Sequence, residues 1–209
     1  MKLTILLISI MLIVFAAEVF LIEDLDGFFN QYGFSGENLF SRPWVLVTSI
    51  FVHGDLVHIL SNIAVMFFFG SAIEGELGNK RFLLVFFLGA FAGDIFSLFF
   101  YPFDTVGIGA SAGIFALIGV GMIVKPFDLS FYPYFLPVPL GLLGIIYAVY
   151  NAIGFVSGPS NISYVAHFGG LFVGLLFGFR QEGWKRGIGI VILMIAIMLM
   201  IPLVLLVLT

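Results

Sequence analysis

Long apolar stretches separated by short polar segments dominate the pattern along the chain. Seven such stretches occur, at residues 3–22, 56–73, 82–100, 110–124, 138–156, 164–179 and 188–208. A helix needs about 20 apolar residues to cross a hydrocarbon core of about 30 Å, and most of the stretches approach that length. The pattern predicts an all-α polytopic membrane protein with seven transmembrane helices, of which 110–124 and 164–179 are short.

Composition supports this class and excludes several others. Hydrophobic residues make up 62% of the chain and charged residues 10%, with a mean hydropathy of +1.22, whereas about a quarter of a soluble domain is charged. The net charge of −4 is dispersed and no basic patch occurs, so nucleic acid is not an expected partner. The chain has no cysteine, which excludes disulfides, thiolate nucleophiles and thiolate metal sites.

The first stretch has an alternative interpretation as a cleaved signal peptide. Its apolar run is longer than a typical signal core, and Ala16-Ala17-Glu18 is a weak cleavage site. We therefore interpret 3–22 as the first transmembrane helix.

The distribution of lysine and arginine predicts the orientation in the membrane, because these residues concentrate in cytoplasmic loops. With the N-terminus in the cytoplasm, the outer segments hold Arg42 alone. The inner segments then hold seven basic residues: Lys2, Lys80, Arg81, Lys125, Arg180, Lys185 and Arg186. We therefore expect a cytoplasmic N-terminus, and residues 70–81, where the second stretch ends, are predicted to form a short charged turn on the inner side. The outer segment 23–55 is rich in aromatic residues and is predicted to be structured and to lie against the outer interface.

The short fourth stretch predicts a recessed serine. Thirteen residues separate Val124 from Ser111, or about 20 Å of helix at 1.5 Å per residue. The helix would then begin about 10 Å below the outer edge of a ~30 Å core. Irregular backbone at that depth must be buried in protein or line a watery cavity. Ser111 is therefore predicted to head a helix in such a cavity, with the glycine-rich segment 107–109 descending to it.

Histidines and an asparagine are expected at the same depth. His167 precedes a ridge of glycines at 170, 174 and 178 that would let another helix approach closely. His58 and Asn62 are four residues apart and share a helix face; taken alone, they would be assigned structural hydrogen bonds. Glu18 either extends to the interface or is the buried partner of another polar group, and Asp94 is interpreted as a carboxylate capped by neighbouring donors.

Together these residues indicate nucleophilic catalysis. Serine needs a neighbouring base, which His167 would supply. Asn62, His58 and the Ser111 N–H would donate hydrogen bonds to an oxyanion. Since no carboxylate is positioned by the sequence to orient the histidine, a Ser–His dyad is inferred.

At this point the motifs, taken in order along residues 40–180, resemble those of the rhomboid family of intramembrane serine proteases, in its form with six core helices and one more at the C-terminus. They comprise Trp44…Thr48…Phe51-x-His53, His58-x-x-x-Asn62, Gly70…Glu74…Leu77-Gly78, Gly109-x-Ser111-x-Gly113 followed by Ala116 and Gly119, and Ala166-His167-x-x-Gly170. The resemblance implies one membrane domain over 1–209, with core helices in 1–180 and the additional helix at 187–209.

The resemblance also implies the activity. The expected function is a serine endopeptidase that cleaves single-pass transmembrane proteins near the outer face, with Ser111 as nucleophile, His167 as base, and Asn62, His58 and Gly109 at the oxyanion site. No cofactor or metal is implied, and the substrate-binding residues are not identified. Substrates are expected to enter beside the fifth helix, 138–156, under a cap at 157–163.

Two positions depart from the family pattern. Val45 stands where many members have arginine, and Phe115 stands where a tyrosine often follows the serine by four residues; an aromatic at 115 would still pack on His167. The remaining alternative is a catalytically silent relative that binds membrane-protein clients, although such relatives typically lose the serine or histidine. A prokaryotic cytoplasmic membrane is the expected location, with the active site opening to the extracytoplasmic side.

Overall fold

The computed structural model describes residues 1–129, 138–158 and 162–208, with side chains described as far as residue 200. Helices account for nearly all regular structure in these ranges. They are α1 (Lys2–Leu21), α2 (Leu25–Tyr32), α3 (Gly36–Ser41), α4 (Val45–Thr48), α5 (Leu56–Val65), α6 (Ser71–Ser97), α7 (Ser111–Val124), α8 (Leu140–Val156), α9 (Tyr164–Glu182) and α10 (Trp184–Leu208). A 3-10 turn spans Ser49–Phe51 and a π-helical segment spans Met66–Gly70.

Each of the seven predicted apolar stretches falls largely in a helix. By length and hydropathy, α1 and the continuous helical stretch Leu56–Ser97 of 42 residues suffice to cross a membrane, and α7 and α8 are shorter apolar helices. The all-helical expectation is therefore confirmed. The number of spans and the orientation of the N-terminus stay predictions.

The charged turn expected over residues 70–81 is reduced to one non-helical residue in the structure. Helix continues from α5 through the π-helical segment into α6, and within α6 the backbone leaves helical geometry at Gly78, with φ 72° and ψ 164°. A positive φ of this kind is readily adopted only by glycine. A single glycine, rather than a twelve-residue loop, therefore divides the second apolar stretch from the third.

Three helices form the centre of the molecule, because α6, α7 and α9 all pack extensively against one another. Every residue from Ala112 to Ile123 of α7 is buried. A methyl group added to Gly170 would collide with the Ala112 carbonyl oxygen, and one added to Gly174 would collide with that of Ala116. The predicted glycine ridge is therefore confirmed as the surface on which α7 and α9 approach backbone to backbone.

The segment between α1 and α5 is structured, as predicted. Asp24 caps α2 by accepting from the Gly27 N–H at 2.9 Å, and Ser35 caps α3 by accepting from the Asn38 N–H at 3.1 Å. Capping side chains of this kind satisfy backbone donors at a helix start. The segment therefore consists of short helices with defined ends.

A carboxylate from α6 caps the first helix. Glu74 is 4% exposed and accepts hydrogen bonds from the Leu3 N–H at 3.0 Å, the Thr4 N–H at 2.8 Å and the Thr4 hydroxyl at 2.8 Å. Negative charge is favourable at a helix N-terminus, where the first N–H groups lack partners. Glu74 thereby fixes α1 against α6.

The peripheral helices and connections complete the chain. On α10 the side chains as far as residue 200 are mostly exposed or half-buried, with Met194 an exception at 1% exposure. This pattern is that of a helix at the periphery of the bundle. Residues 130–137, between α7 and α8, and residues 159–161 of the expected cap lie outside the described residues.

Candidate active site

The structure brings Ser111 and His167 into direct contact. The Ser111 hydroxyl and His167 Nε2 lie 2.8 Å apart. Ser111 is the first residue of α7, and His167 lies in the first turn of α9, whose N-cap Ser163 accepts from the Ala166 N–H at 3.4 Å. The close packing of α7 on α9 sets this distance, since the two side chains project from the ends of adjoining helices.

Helix α7 starts without a capping side chain. Ala110, the N-cap residue, is fully buried and offers no acceptor, and the first helical hydrogen bond runs from the Ile114 N–H to the Ala110 carbonyl at 3.0 Å. The N–H groups of residues 111–113 therefore have no partner within the helix. These donors and the positive end of the helix dipole surround Ser111, an arrangement that favours a developing negative charge.

The segment that leads into α7 is hydrogen-bonded to the segment between α1 and α5. Phe34 and Gly107 exchange backbone hydrogen bonds of 2.9 and 2.7 Å, and the Gly109 N–H donates to the Ser49 carbonyl at 2.8 Å. These bonds satisfy irregular backbone that lipid could not satisfy. Residues 107–109, which are predicted to descend to Ser111, are thus held in place by hydrogen bonds to the structured segment 23–55.

His58 packs against Gly109, two residues before the serine. Gly109 has φ +111°, and a methyl group there would lie 2.6 Å from His58 Nε2. A side chain at 109 would therefore be strained by its backbone and would displace the imidazole. Glycine at this position lets His58 reach the backbone beside Ser111.

Asn62 lies one turn from His58 on α5, as the spacing predicted. Its amide group is 5% exposed, and Nδ2 donates to the His58 carbonyl at 2.8 Å while Oδ1 has no partner. The second Nδ2 proton stays available. Among the described residues, no hydrogen bond joins Asn62 or His58 to the Ser111 side chain, so their expected oxyanion contacts are not present in the unliganded structure.

An aromatic ring covers one face of the His167 imidazole. Phe115 stacks on His167 with ring centroids 4.3 Å apart and an interplanar angle of 10°. Tyr164 approaches the same imidazole edge-on at 6.4 Å. The packing expected of an aromatic at position 115 is therefore confirmed, although this side chain lacks a hydroxyl.

Sequence reasoning missed one residue of the site. Asn151 on α8 is fully buried, and its Oδ1 lies 2.8 Å from His167 Nδ1. Its Nδ2 donates to the Tyr164 carbonyl at 3.0 Å. The available signal was that this is the single amide side chain in α8, a helix otherwise made of apolar residues, glycine and two tyrosines.

A second polar group lies beside His58. His53 is 1% exposed, its ring lies 5.0 Å from that of His58, and its backbone N–H donates to Glu18 at 3.3 Å. Burial, together with the nearby His58 charge, lowers the pKa of His53 to about 4, so this imidazole is neutral near pH 7. Glu18 is 2% exposed and is therefore the buried partner of another polar group, not a side chain that extends to the interface.

Metal binding finds no support in the described part of the chain. No group of three or more histidine, aspartate or glutamate side chains is arranged there to hold an ion. The arrangement at Ser111 is instead a nucleophile, a base and a set of backbone donors around one point, which is the equipment of acyl transfer.

Comparison with known proteins agrees with this class of site. The sequence profile of the Rhomboid domain matches residues 41–183, which is well over half of the chain. The chain therefore belongs to the rhomboid family, whose members are integral membrane proteins and include intramembrane serine proteases.

Individual relatives come from bacteria and plants. The chain is 35% identical over 141 residues to "Putative rhomboid protease YdcA" of Bacillus subtilis, with 65% of this chain and 66% of that protein aligned. It is 32% identical over 162 residues to "RHOMBOID-like protein 12, mitochondrial" of Arabidopsis thaliana, with 69% and 48% aligned. It is also 34% identical over 131 residues to "Rhomboid protease GluP" of Bacillus subtilis, with 63% and 24% aligned. The chain spans about half or less of the length of two of these three relatives, RHOMBOID-like protein 12 and Rhomboid protease GluP.

Proposed function

We propose that the protein is an intramembrane serine endopeptidase that hydrolyses transmembrane proteins. The observation that carries this proposal is the 2.8 Å contact between the Ser111 hydroxyl and His167 Nε2 at the uncapped start of α7. Nucleophile and base within hydrogen-bond reach are the signature of an activated serine. The relatives named as proteases support the same reaction.

In the proposed reaction Ser111 Oγ attacks the carbonyl carbon of the scissile peptide bond. His167 Nε2 accepts the hydroxyl proton and then delivers it to the departing amine as the C–N bond breaks. Water, deprotonated by the same imidazole, hydrolyses the acyl-enzyme and regenerates Ser111. In both steps His167 thus takes the proton from the attacking oxygen and delivers it to the leaving group.

The negative charge on the tetrahedral intermediate is assigned to donors around the helix start. The Ser111 N–H has no partner within α7, Asn62 retains one free amide proton, and His58 reaches Gly109. Loss of one such donor typically slows acyl transfer by about 10² to 10³. Asn62→Ala should therefore lower kcat far more than it raises KM.

Access and orientation belong to the same proposal. The lysine and arginine distribution favours a cytoplasmic N-terminus. With seven spans, the active site would then open to the extracytoplasmic side, and a prokaryotic cytoplasmic membrane is the proposed location. Substrate helices would enter beside α8, beneath the cap at 157–163. Single-pass proteins that unwind near the outer surface are the expected substrates.

The decisive experiment combines cleavage with active-site labelling. Purified wild-type protein in detergent should cleave a model single-pass substrate and react with a fluorophosphonate at Ser111, and both activities should be abolished in Ser111→Ala and His167→Ala. Ser61→Ala is a matched control, because Ser61 is exposed on α5 and donates only to the His58 carbonyl at 2.8 Å; it should retain near wild-type rates.

The same experiment separates the alternative, a catalytically silent client-binding protein. Such a protein would bind the substrate without cleaving it, and its serine would not react faster than that of the His167→Ala variant. Full activity in either the Ser111 or the His167 variant would refute the proposed mechanism.

A further inference from the structure

We infer that Asn151 is a positioning residue that makes the catalytic pair of this protein a Ser–His–Asn triad. The inference rests on the proposed protease function and adds a third member, supplied by α8. Asn151 Oδ1 lies 2.8 Å from His167 Nδ1, on the side of the imidazole opposite Nε2, which faces Ser111. The three side chains therefore form one continuous hydrogen-bonded chain.

The orientation of the Asn151 amide is fixed by its second partner. Nδ2 lies 3.0 Å from the Tyr164 carbonyl oxygen, which is an acceptor only. A flipped amide would bring two acceptor oxygens together at that distance. Oδ1 is therefore the atom that faces His167, and it is also an acceptor only.

This orientation determines the tautomer of the histidine. An acceptor beside Nδ1 requires that Nδ1 carries a proton, and a neutral imidazole then leaves the lone pair on Nε2. Nε2 is the atom that faces the Ser111 hydroxyl at 2.8 Å. Asn151 thus holds His167 in the form that accepts the serine proton, the same task that the third member performs in triads on other folds.

Burial makes this contact strong and specific. Asn151 is fully buried, and His167 is 9% exposed. An amide in apolar surroundings costs free energy unless both of its ends are paired, as they are here. Phe115 stacks on one face of the His167 imidazole. Rotation of His167 away from Ser111 would therefore break both the Asn151 contact and this ring stack.

Three variants test the role. Asn151→Leu keeps a similar volume and removes both polar atoms, and Asn151→Ala removes the side chain. Asn151→Asp, in its protonated form, keeps an acceptor for the Nδ1 proton and a donor to the Tyr164 carbonyl. The Leu and Ala variants should lose roughly 10- to 100-fold in kcat and in the fluorophosphonate labelling rate, with KM within about twofold of wild type. The Asp variant should recover most of the loss.

A control separates positioning from packing. Ile145 is 5% exposed on the same helix, and no polar contact links it to His167. Ile145→Ala should lower the melting temperature at least as much as Asn151→Leu while its labelling rate stays near wild type. Equal labelling losses in the two variants would overturn the positioning role, because loose packing of α8 would then explain both.

A further measurement reads the histidine tautomer in wild-type protein and uses a variant only to assign the signal. The chain has three histidines, so ¹⁵N spectra of histidine-labelled protein, assigned by the signal lost in His167→Ala, should show His167 protonated at Nδ1 and not at Nε2. The opposite tautomer would overturn the inference, as would wild-type rates in Asn151→Leu and Asn151→Ala. Absence of cleavage and labelling in wild-type protein would instead refute the proposed function, so the two failures are distinguishable.

Discussion

Substitution of Gly170 by alanine should disable the site without touching a reacting group. Gly170 lies one helical turn below His167 on α9 and faces the Ala112 carbonyl of α7, the residue after Ser111. A methyl group at 170 would overlap that carbonyl oxygen, and the neighbouring atom is backbone, so it cannot rotate aside. The two helices must separate at this level.

The size of the effect follows from the contact distances. Ordinary contact of a Cβ atom begins near 3.4 Å, and the clash at Gly170 is far inside it. Full relief requires a separation of more than about 1 Å, and a misplacement of about 1 Å can already cost about 10²-fold in rate. The same movement would stretch the 2.8 Å contact between Ser111 and His167 beyond hydrogen-bond range. Overpacking itself should cost about 1–3 kcal/mol of stability.

The assay is the fluorophosphonate labelling rate of folded protein in detergent, with substrate cleavage and thermal unfolding measured in parallel. Gly75→Ala is the matched control, because a methyl group at that helical position on α6 meets no atom within 4 Å. It should stay active and gain up to about 1 kcal/mol from helix propensity.

A wild-type labelling rate in Gly170→Ala would refute the claim that backbone contact between α7 and α9 sets the catalytic distance. A comparable rate loss in Gly75→Ala would refute it as well, since the effect would then come from any added methyl group.

Two further predictions concern the rings around the site. Phe115→Leu should slow labelling about 10-fold by removing the face that stacks on His167 at 4.3 Å, whereas Phe115→Tyr should stay within about twofold. Burial lowers the pKa of His53 from 6.5 to about 4. As the pH falls, the unfolded chain therefore binds a proton on this imidazole before the folded protein does. The folded state loses at most about 3 kcal/mol of stability between pH 6.5 and pH 4 for this reason. Melting temperatures measured from about pH 7 to pH 4.5 should therefore fall less in His53→Gln; parallel curves would contradict the assignment.

Much of the site was predictable because membrane depth constrains the chain strongly. The short fourth stretch required a helix that begins inside the protein, and α7 does begin at Ser111. Glycines four residues apart required a close helix partner, and Gly170 and Gly174 face backbone carbonyls of α7. Both predictions used length and side-chain size alone, which the sequence states directly.

The helical boundary at Gly78 was less predictable. Charged residues over 70–81 suggested a loop, but a helix tolerates such residues where it leaves the apolar region, and only one backbone position breaks from helical geometry. Local composition thus overstated the length of the turn, because charge reports on solvent exposure and not on φ and ψ.

Asn151 could not be placed because its contact depends on how α8 is rotated about its axis. Periodicity assigns a face only where polar and apolar positions alternate around a helix, and α8 is apolar on nearly every side. Its one amide could have faced lipid, solvent at the helix end, or any neighbouring helix. In the observed rotation both amide ends are paired with Tyr164 and His167. Both partners lie on α9, so the contact exists only where α8 packs against α9. The third member of the site is therefore a consequence of tertiary packing, whereas the serine and histidine are consequences of sequence spacing.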